Sequence, residues 1–369
     1  MKNKWIFVFL ICGALFLSGC WDKTEFTQVS FAVAMAIDKT QEDYEVTVKL
    51  MLPKEEKQIG DAQVWLVSGK GASIYEAIEE LNNRSPREVY WGYMSLVVLG
   101  SSINEDISDV LDYFSRASQF RRSEYIVCAD TKGAEMLSAS NEQSEVNAFY
   151  IYTLLRDMEM RYHDAAVDLN DCLLHRNYQG RAYLLPLLGL AEPNSIDKDE
   201  KAPYIKGAML IKNDKVLTEL DNDNFAGYRF LKCAISQGSL VTDNPLGEGK
   251  LSYNIKKSRA KLSWQNDTLL ITIKGTVNLT ERLGSGDAIN EKNSEKKLME
   301  ESINRYVEKE VKACMEESVA QNADFLYLGQ WLSVYHNRAF EQYDDENYLK
   351  ELKIEIKSDL KLKFSALAD

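Results

Sequence analysis

The first twenty residues constrain everything that follows them. Lys2 and Lys4 precede an apolar run of thirteen residues from Trp5 to Leu17, which ends in Ser18, Gly19 and Cys20. That run suits the core of a signal peptide and falls short of the roughly 20 residues a spanning helix needs. The expectation is that residues 1–19 direct export and are removed. Whatever folds from Cys20 onward then folds outside the cytoplasm and must bury its own core in water.

Ser18 and Gly19 leave the backbone before the cut extended and uncrowded, and Cys20 offers a thiol that can take a diacylglyceryl group. The arrangement resembles the bacterial lipobox and makes Cys20 the expected lipidation site. Cys12, inside the apolar run, has no such role. Two acyl chains matter because, at about 0.8 kcal/mol per buried methylene, a single chain anchors only reversibly. No later stretch reaches spanning length: Ser95–Leu99 and Ala182–Leu190 are short and bounded by glycine or polar residues.

Removing 19 of 369 residues leaves 350, room for two or three domains. Charged residues at 27% and hydrophobic residues at 45% describe a globular chain and exclude a disordered one. The net charge of −13 becomes −15 without Lys2 and Lys4, so the surface as a whole repels nucleic acid and anionic headgroups. No nucleic-acid partner is expected, and the lipid has to hold the protein to its membrane. Cys128, Cys172, Cys233 and Cys314 are widely spaced, each within an apolar strand or helix pattern. They read as buried free thiols; two disulfides, in any of three pairings, are the alternative.

Period-two alternation predicts strands over Val29–Ile37 and Val46–Leu52, joined by the polar turn Asp38–Asp43. Ser73 and Glu76 form a capping box ahead of a helix bearing Ile74, Ala77, Ile78 and Leu81. Val89–Leu99 reads as a buried strand, Asp106–Ser118 as a helix, Glu124–Ala129 as a strand, and Val146–Tyr178 as mainly helical before the apolar segment Ala182–Leu190. Residues 191–203 hold prolines at both ends and five charges between them, the mark of a boundary. Beyond them the pattern predicts a hairpin over Tyr204–Leu220 turning at Asn213–Asp214, a helix near Phe225–Cys233, and a long hairpin over Leu251–Glu281 turning at Asn266–Asp267. The polar stretch 283–294 leads into an amphipathic helix from Met299 to Met315. A second helix spans Ala323 to about Gln342, and a half-buried strand runs from Leu352 to Phe364. The expected architecture is α+β and multidomain, with mixed sheets, packed helices and no doubly wound nucleotide-binding domain. Its parts are a mixed α/β domain at 20–195, a hairpin-rich region at 203–282, and a helix-helix-strand region at 290–369 packing with it.

Catalytic motifs are missing. His163, His175 and His336 have no metal-ligand spacing, and there is no G-x-S-x-G elbow, phosphate loop or G-x-G-x-x-G turn. His163 beside Asp164 is no dyad, because adjacent helical residues do not face each other. The 57 carboxylates read as solvated surface. No cofactor or metal is expected.

Taken in order, Cys20, Trp21, Asp22 and Glu25, the strand to Ile37 and Asp38, GASIYEAIEEL from Gly71, VYWGYMSLVVLG ending at Gly100, the stretch Leu111–Ala129, Leu185-Pro186, KGAMLIKNDKVLTEL from Lys206, and ADFLYLGQWLSVYH from Ala323 resemble the GerC family, the lipoprotein subunits of spore germinant receptors. Nearly the whole mature chain is covered. Ser115, Arg116, Ala117 and Ser118 depart from the more acidic Arg-Asp segment of that family, and the late helix lacks its second tryptophan and its proline. The resemblance implies a non-enzymatic subunit on the outer face of the spore inner membrane. There it would act beside an A-type subunit and a permease-like B-type subunit, with Trp21 and Asp22 as either a packed stem or a partner contact. Two other readings compete: a solute-binding lipoprotein of a transporter, which two similar βαβ lobes would mark, and a lipid-anchored envelope hydrolase.

Overall fold

The computed structural model describes residues 29–52, 63–103, 105–139, 147–162, 166–176, 182–191, 201–232, 234–283, 293–344 and 347–363. The chain enters it on β1 (Val29–Lys39), of which every residue but Lys39 is buried. Small residues explain this: Ser30, Ala32, Ala34 and Ala36 alternate with the larger apolar ones, so the strand can be covered on both faces. β2 (Tyr44–Leu52) pairs antiparallel with β1, and β3 (Gln63–Gly71) with β2. β3 has no counterpart in the sequence reading, since Ser68, Gly69, Lys70 and Gly71 dilute its apolar pattern.

Helix α1 (Ile74–Arg84) follows at once. Ser73 accepts the N–H of Glu76 at 3.1 Å, and the Glu76 carboxylate reaches back to the N–H of Ala72 at 2.9 Å, closing the capping box. The helix lies directly on β3 because glycine allows it. A Cβ on Gly69 would stand 2.1 Å from the carbonyl oxygen of Ala77 and 2.5 Å from the nitrogen of Leu81, both backbone atoms that cannot swing away. Gly69→Val is expected to destabilise the protein by about 3 kcal/mol, the upper end of overpacking costs. Urea denaturation measures it, and an unchanged midpoint would show that α1 shifts without penalty.

Val89–Leu99, expected as one strand, is two: β4 (Glu88–Tyr90) and β5 (Leu96–Leu99), parted by a 3₁₀ turn at Trp91–Tyr93. Both run parallel to β1, β4 beside Val29–Phe31 and β5 beside Ala34–Ile37. The break sits where β1 itself bulges, between Ala32 and Ala34, so one continuous strand would lose register there. Helix α2 (Ser108–Arg116), β6 (Tyr125–Ala129), helix α3 (Gly133–Ser138), helix α4 (Asn147–Arg161), helix α5 (Leu169–Arg176) and β7 (Ala182–Ala191) complete the first part. β5, β6 and β7 are mutually parallel. Asp38, 5% exposed at the end of β1, ties this part together. Its carboxylate accepts the N–H of Gly133 at 2.9 Å and of Ala134 at 3.1 Å, at the start of α3. A Cβ on Gly100 would lie 1.8 Å from that carboxylate, so the end of β5 must be glycine for the contact to exist.

Pairing then crosses the polar stretch 191–203. β8 (Ala202–Lys212) binds β7 antiparallel from Ala182↔Lys212 to Ala191↔Ala202. The turn at Asn213 and Asp214, with φ of 52° and 62°, returns the chain as β9 (Lys215–Leu220). The first sheet, in the order β3-β2-β1-β5-β6-β7-β8-β9 with β4 beside β1, thus takes its last two strands from beyond the boundary. The physical reason lies in β7: eight of its ten residues are buried, and without β8 one whole edge of its backbone has no partner. α1, α2 and α5 cover one face of this sheet, while α3 and α4 contribute to the core on the other.

Helix α6 (Asn222–Lys232) leads to a second sheet: β10 (Gly238–Asp243), β11 (Lys250–Gln265), β12 (Thr268–Leu283) and β13 (Ile354–Lys363), in that order, with β13 parallel to β12. β10 is too short and polar to have stood out in the sequence. Asn266 and Asp267 make the β11–β12 turn with φ of 49° and 56°. The long helix α7 (Asn293–Ala320) lays Met299, Ile303, Val307 and Val311 on this sheet and also guards its edge. Glu300, Asn304 and Glu308 accept the backbone N–H groups of Leu362, Leu360 and Ser358 at 2.9, 2.8 and 2.8 Å. The match is geometric, since four helical residues rise about 6 Å and two strand residues about 6.6 Å. The single helix expected over Ala323–Gln342 is broken at His336, whose φ of −141° is not helical, into α8 (Leu328–Tyr335) and α9 (Asn337–Phe340).

The architecture is α+β with mixed sheets and packed helices, without a nucleotide-binding fold. Among the described residues, no helix is long and apolar enough to cross a membrane.

Candidate functional site

Cys20, Trp21 and Asp22 lie outside the described residues, as do Cys233 and His163 with Asp164. What the structure places is the point from which the N-terminal segment departs: Val29, at the head of β1, paired with Glu88. Around it gather two stretches that are distant in sequence. Residues 84–93 hold Arg84 and Arg87, and residues 116–123 hold Arg116, Arg121 and Arg122, all exposed, with Glu88 as the one carboxylate in either stretch. Trp91 and Phe120 join them, ring to ring at 5.2 Å, and Gln119 closes a recess of about 740 Å³ with Ser85–Gly92. Arg84 is paired with Glu80, and Arg116 with Asp112 at 3.0 Å. Tyr93 and Tyr90 pack edge-on to Phe31, at 5.1 and 5.7 Å, yet stay 56% and 45% exposed.

Beneath this end sits Glu124, 1% exposed. Its carboxylate has no well-formed hydrogen bond, and burial pushes its pKa up, the backbone N–H groups of Glu124 and Arg121 easing the cost only in part. A raised folded pKa means that the folded state holds its proton longer than the unfolded one. Stability is therefore whole below the ordinary value near 4.5 and declines as pH rises above it. Glu124→Gln is expected to stabilise the protein at pH 7 by roughly 1 kcal/mol and to change little at pH 4. Thermal melts at the two pH values check this; equal shifts at both would mean that ionisation is not the cause.

A larger cleft, about 810 Å³, opens between α1 and α2. Its polar groups are engaged with one another. Asp109 accepts the Tyr44 hydroxyl and faces Lys39 at 4.0 Å. Arg116 holds the Asp112 carboxyl below the usual carboxylate range, with Arg176 adding to the effect from 3.9 Å. Arg176 also grips Asp214 at 2.9 Å. Burial raises the pKa of Tyr44, with Asp109 adding to it, so that hydroxyl is a donor and not a base. Cys128, Cys172 and Cys314 are buried, unbridged thiols. Burial pushes Cys128 up to about 12 and the other two well up, which leaves them protonated and unreactive.

His175 stacks between Tyr183 and Tyr327, with ring centroids at 5.0 and 5.1 Å, and the Tyr327 hydroxyl meets its Nε2 at 2.7 Å. This sandwich fastens α5 to the start of α8. Asp324 organises the same segment, its carboxylate accepting the N–H groups of Leu328 at 3.0 Å and Gly329 at 2.8 Å together with the Tyr348 hydroxyl. Beside Trp331 lies a groove of about 430 Å³, with Val334 and Tyr335 65% and 68% exposed. Among the described residues, no group of three His, Cys, Asp or Glu side chains is placed to hold a metal ion.

Residues 22–190 match the spore germination protein N-terminal domain, and residues 206–365 match the family described as spore germination B3/GerAC like, C-terminal. Spore germination protein B3 of Bacillus subtilis is 26% identical over 71% of this chain and 70% of its own length. Spore germination protein KC of the same organism is 21% identical over 98% and 95%. The crystal structure of the GerBC protein superimposes with a TM-score of 0.57 at 18% identity, covering 92% of this chain and 99% of that one, and so shares the fold.

Proposed function

The chain belongs to the GerC family of spore germination proteins, and from that premise we propose that it is the lipid-anchored, non-enzymatic C-type subunit of a nutrient germinant receptor. Diacylglycerol on Cys20 holds it on the outer face of the spore inner membrane, where it binds the multispanning subunits of the same receptor. The observation that carries this reading is the match of both halves of the chain, in order, to the two family domains. Two features support action by contact: the carboxylates of the cleft between α1 and α2 are engaged by cations and a hydroxyl, and the described cysteines are buried. An anchor confines the protein to a thin layer above the bilayer, which raises its effective concentration toward membrane partners and makes weak contacts sufficient.

Cross-linking in native spore membranes, followed by identification of what is captured, tests the proposal. Recovery of a permease-like subunit, together with loss of one nutrient response on deletion, is the expected result. Isolation as a monomer that turns over cell-wall fragments would refute it.

A further inference from the structure

Two features come together at the end of the first sheet at which β1 begins. In a chain of net charge −13, its two stretches carry five exposed arginines and one carboxylate, Arg84 and Arg116 being ion-paired with Glu80 and Asp112 just outside them. Its exposed aromatics are tyrosines, 45% and 56% open at Tyr90 and Tyr93, whose rings pack edge-on to Phe31. Arginine with tyrosine is the composition that suits the headgroup layer of a bilayer, where guanidinium meets phosphate and an amphipathic ring spans apolar and wet regions. The position agrees. Eight residues lie between Cys20 and Val29, and fully extended the nine steps reach at most about 30 Å. A lipid on Cys20 therefore keeps this end of β1 within that distance of the bilayer, whereas the turn after Lys39 lies a whole strand further along.

We infer that this end, formed by Arg87, Tyr90, Tyr93, Arg121 and Arg122, is the face that rests on the anionic phospholipid headgroups of the membrane holding the anchor. The protein then stands with β1 rising from the bilayer and the turn at Thr40 and Gln41 pointing away. The inference rests on the reading of Cys20 as the lipidated residue and deepens it from a tether to an orientation. Overall charge repels anionic lipid, but a screening length of about 8 Å at physiological salt lets this face respond to its own arginines and not to the distant acids.

The test uses the full lipidated chain on vesicles of phosphatidylglycerol and phosphatidylcholine in equal parts. A nitroxide is placed at Tyr93→Cys or, as control, at Gln41→Cys, the unsubstituted chain giving background labelling. Relaxation by lipid-soluble oxygen and by a water-soluble nickel chelate reports where each label sits. The expected result is oxygen-dominated relaxation at 93 and nickel-dominated relaxation at 41. Arg87→Gln, Arg121→Gln and Arg122→Gln together lower the ratio of docked to undocked protein roughly five-fold per arginine, on the order of 100-fold in all, while the chain still floats with the vesicles. Failure of the unsubstituted chain to float overturns the lipidation reading itself. If the chain floats but the label at 93 stays aqueous, the orientation is wrong. If that label becomes protected only in native membranes that hold the multispanning subunits, the face docks protein and not lipid, which overturns the inference while leaving the anchor intact.

Discussion

A Cys20→Ala chain, exported behind an ordinary cleavable secretory signal in place of residues 1–19, is expected to move almost completely from the membrane fraction to the soluble one. Even a single acyl chain of ordinary length gives an association constant on the order of 10⁴ M⁻¹, and the second makes the attachment stable. The folded part supplies no substitute, because among its described residues no helix can span a bilayer and the arginine end contributes only a weak, salt-sensitive attraction. The nutrient response is expected to fall with the membrane fraction. Fractionation and mass spectrometry of the native N-terminal peptide read the two consequences separately. An unmodified Cys20 in the native protein, or a variant that stays membrane-bound, would remove the basis for the proposed function.

The other large effect is expected at the edge of the second sheet. Replacing Glu300, Asn304 and Glu308 together by alanine withdraws the acceptors from three backbone N–H groups of β13. At about 1–1.5 kcal/mol for each bond, with more where the acceptor is charged, the loss is about 3–5 kcal/mol. The variant has a second property that an ordinary core substitution lacks. An edge strand with free donors can pair with another chain, so self-association is expected alongside the lower urea midpoint. Light scattering distinguishes the cases: a destabilised variant that stays monomeric would show that the apolar contacts of α7 alone shield the edge.

Much of the fold was legible because its signals are local. Ser73 and Glu76 announce α1 by the chemistry of a capping box, and Asn213–Asp214 and Asn266–Asp267 announce hairpins because both residues of such a turn must adopt positive φ. β3 and β10 were not legible, since Gln63–Gly71 and Gly238–Asp243 are strands by virtue of their neighbours and not of their own pattern. The break in Val89–Leu99 answers to a bulge in β1, more than fifty residues earlier. The candidate site divides in the same way. The expected lipidation residue rests on four consecutive positions, Leu17 to Cys20. The arginine and tyrosine end does not, because residues 84–93 and 116–123 become neighbours only when β5, α2 and β6 fold into one crossover. Asp38 and Gly100 show why certain stretches of the sequence end where they do: the carboxylate at the end of one strand needs a residue without a side chain at the end of the next.

The pairing of β8 onto β7, and of β9 onto β8, also sets a timetable. On the proposed export route the chain emerges from its translocation channel N-terminus first, and it has residue 191 outside well before residue 220. Through that interval Ala182–Ala191, an almost wholly apolar strand, waits with one side of its backbone bare. With the proposed lipid fastening Cys20 at the same surface, the unfinished sheet waits at a crowded membrane and not in open solution. Any fragment that stops at the polar stretch repeats this interval permanently, so a soluble N-terminal half has to run through Leu220.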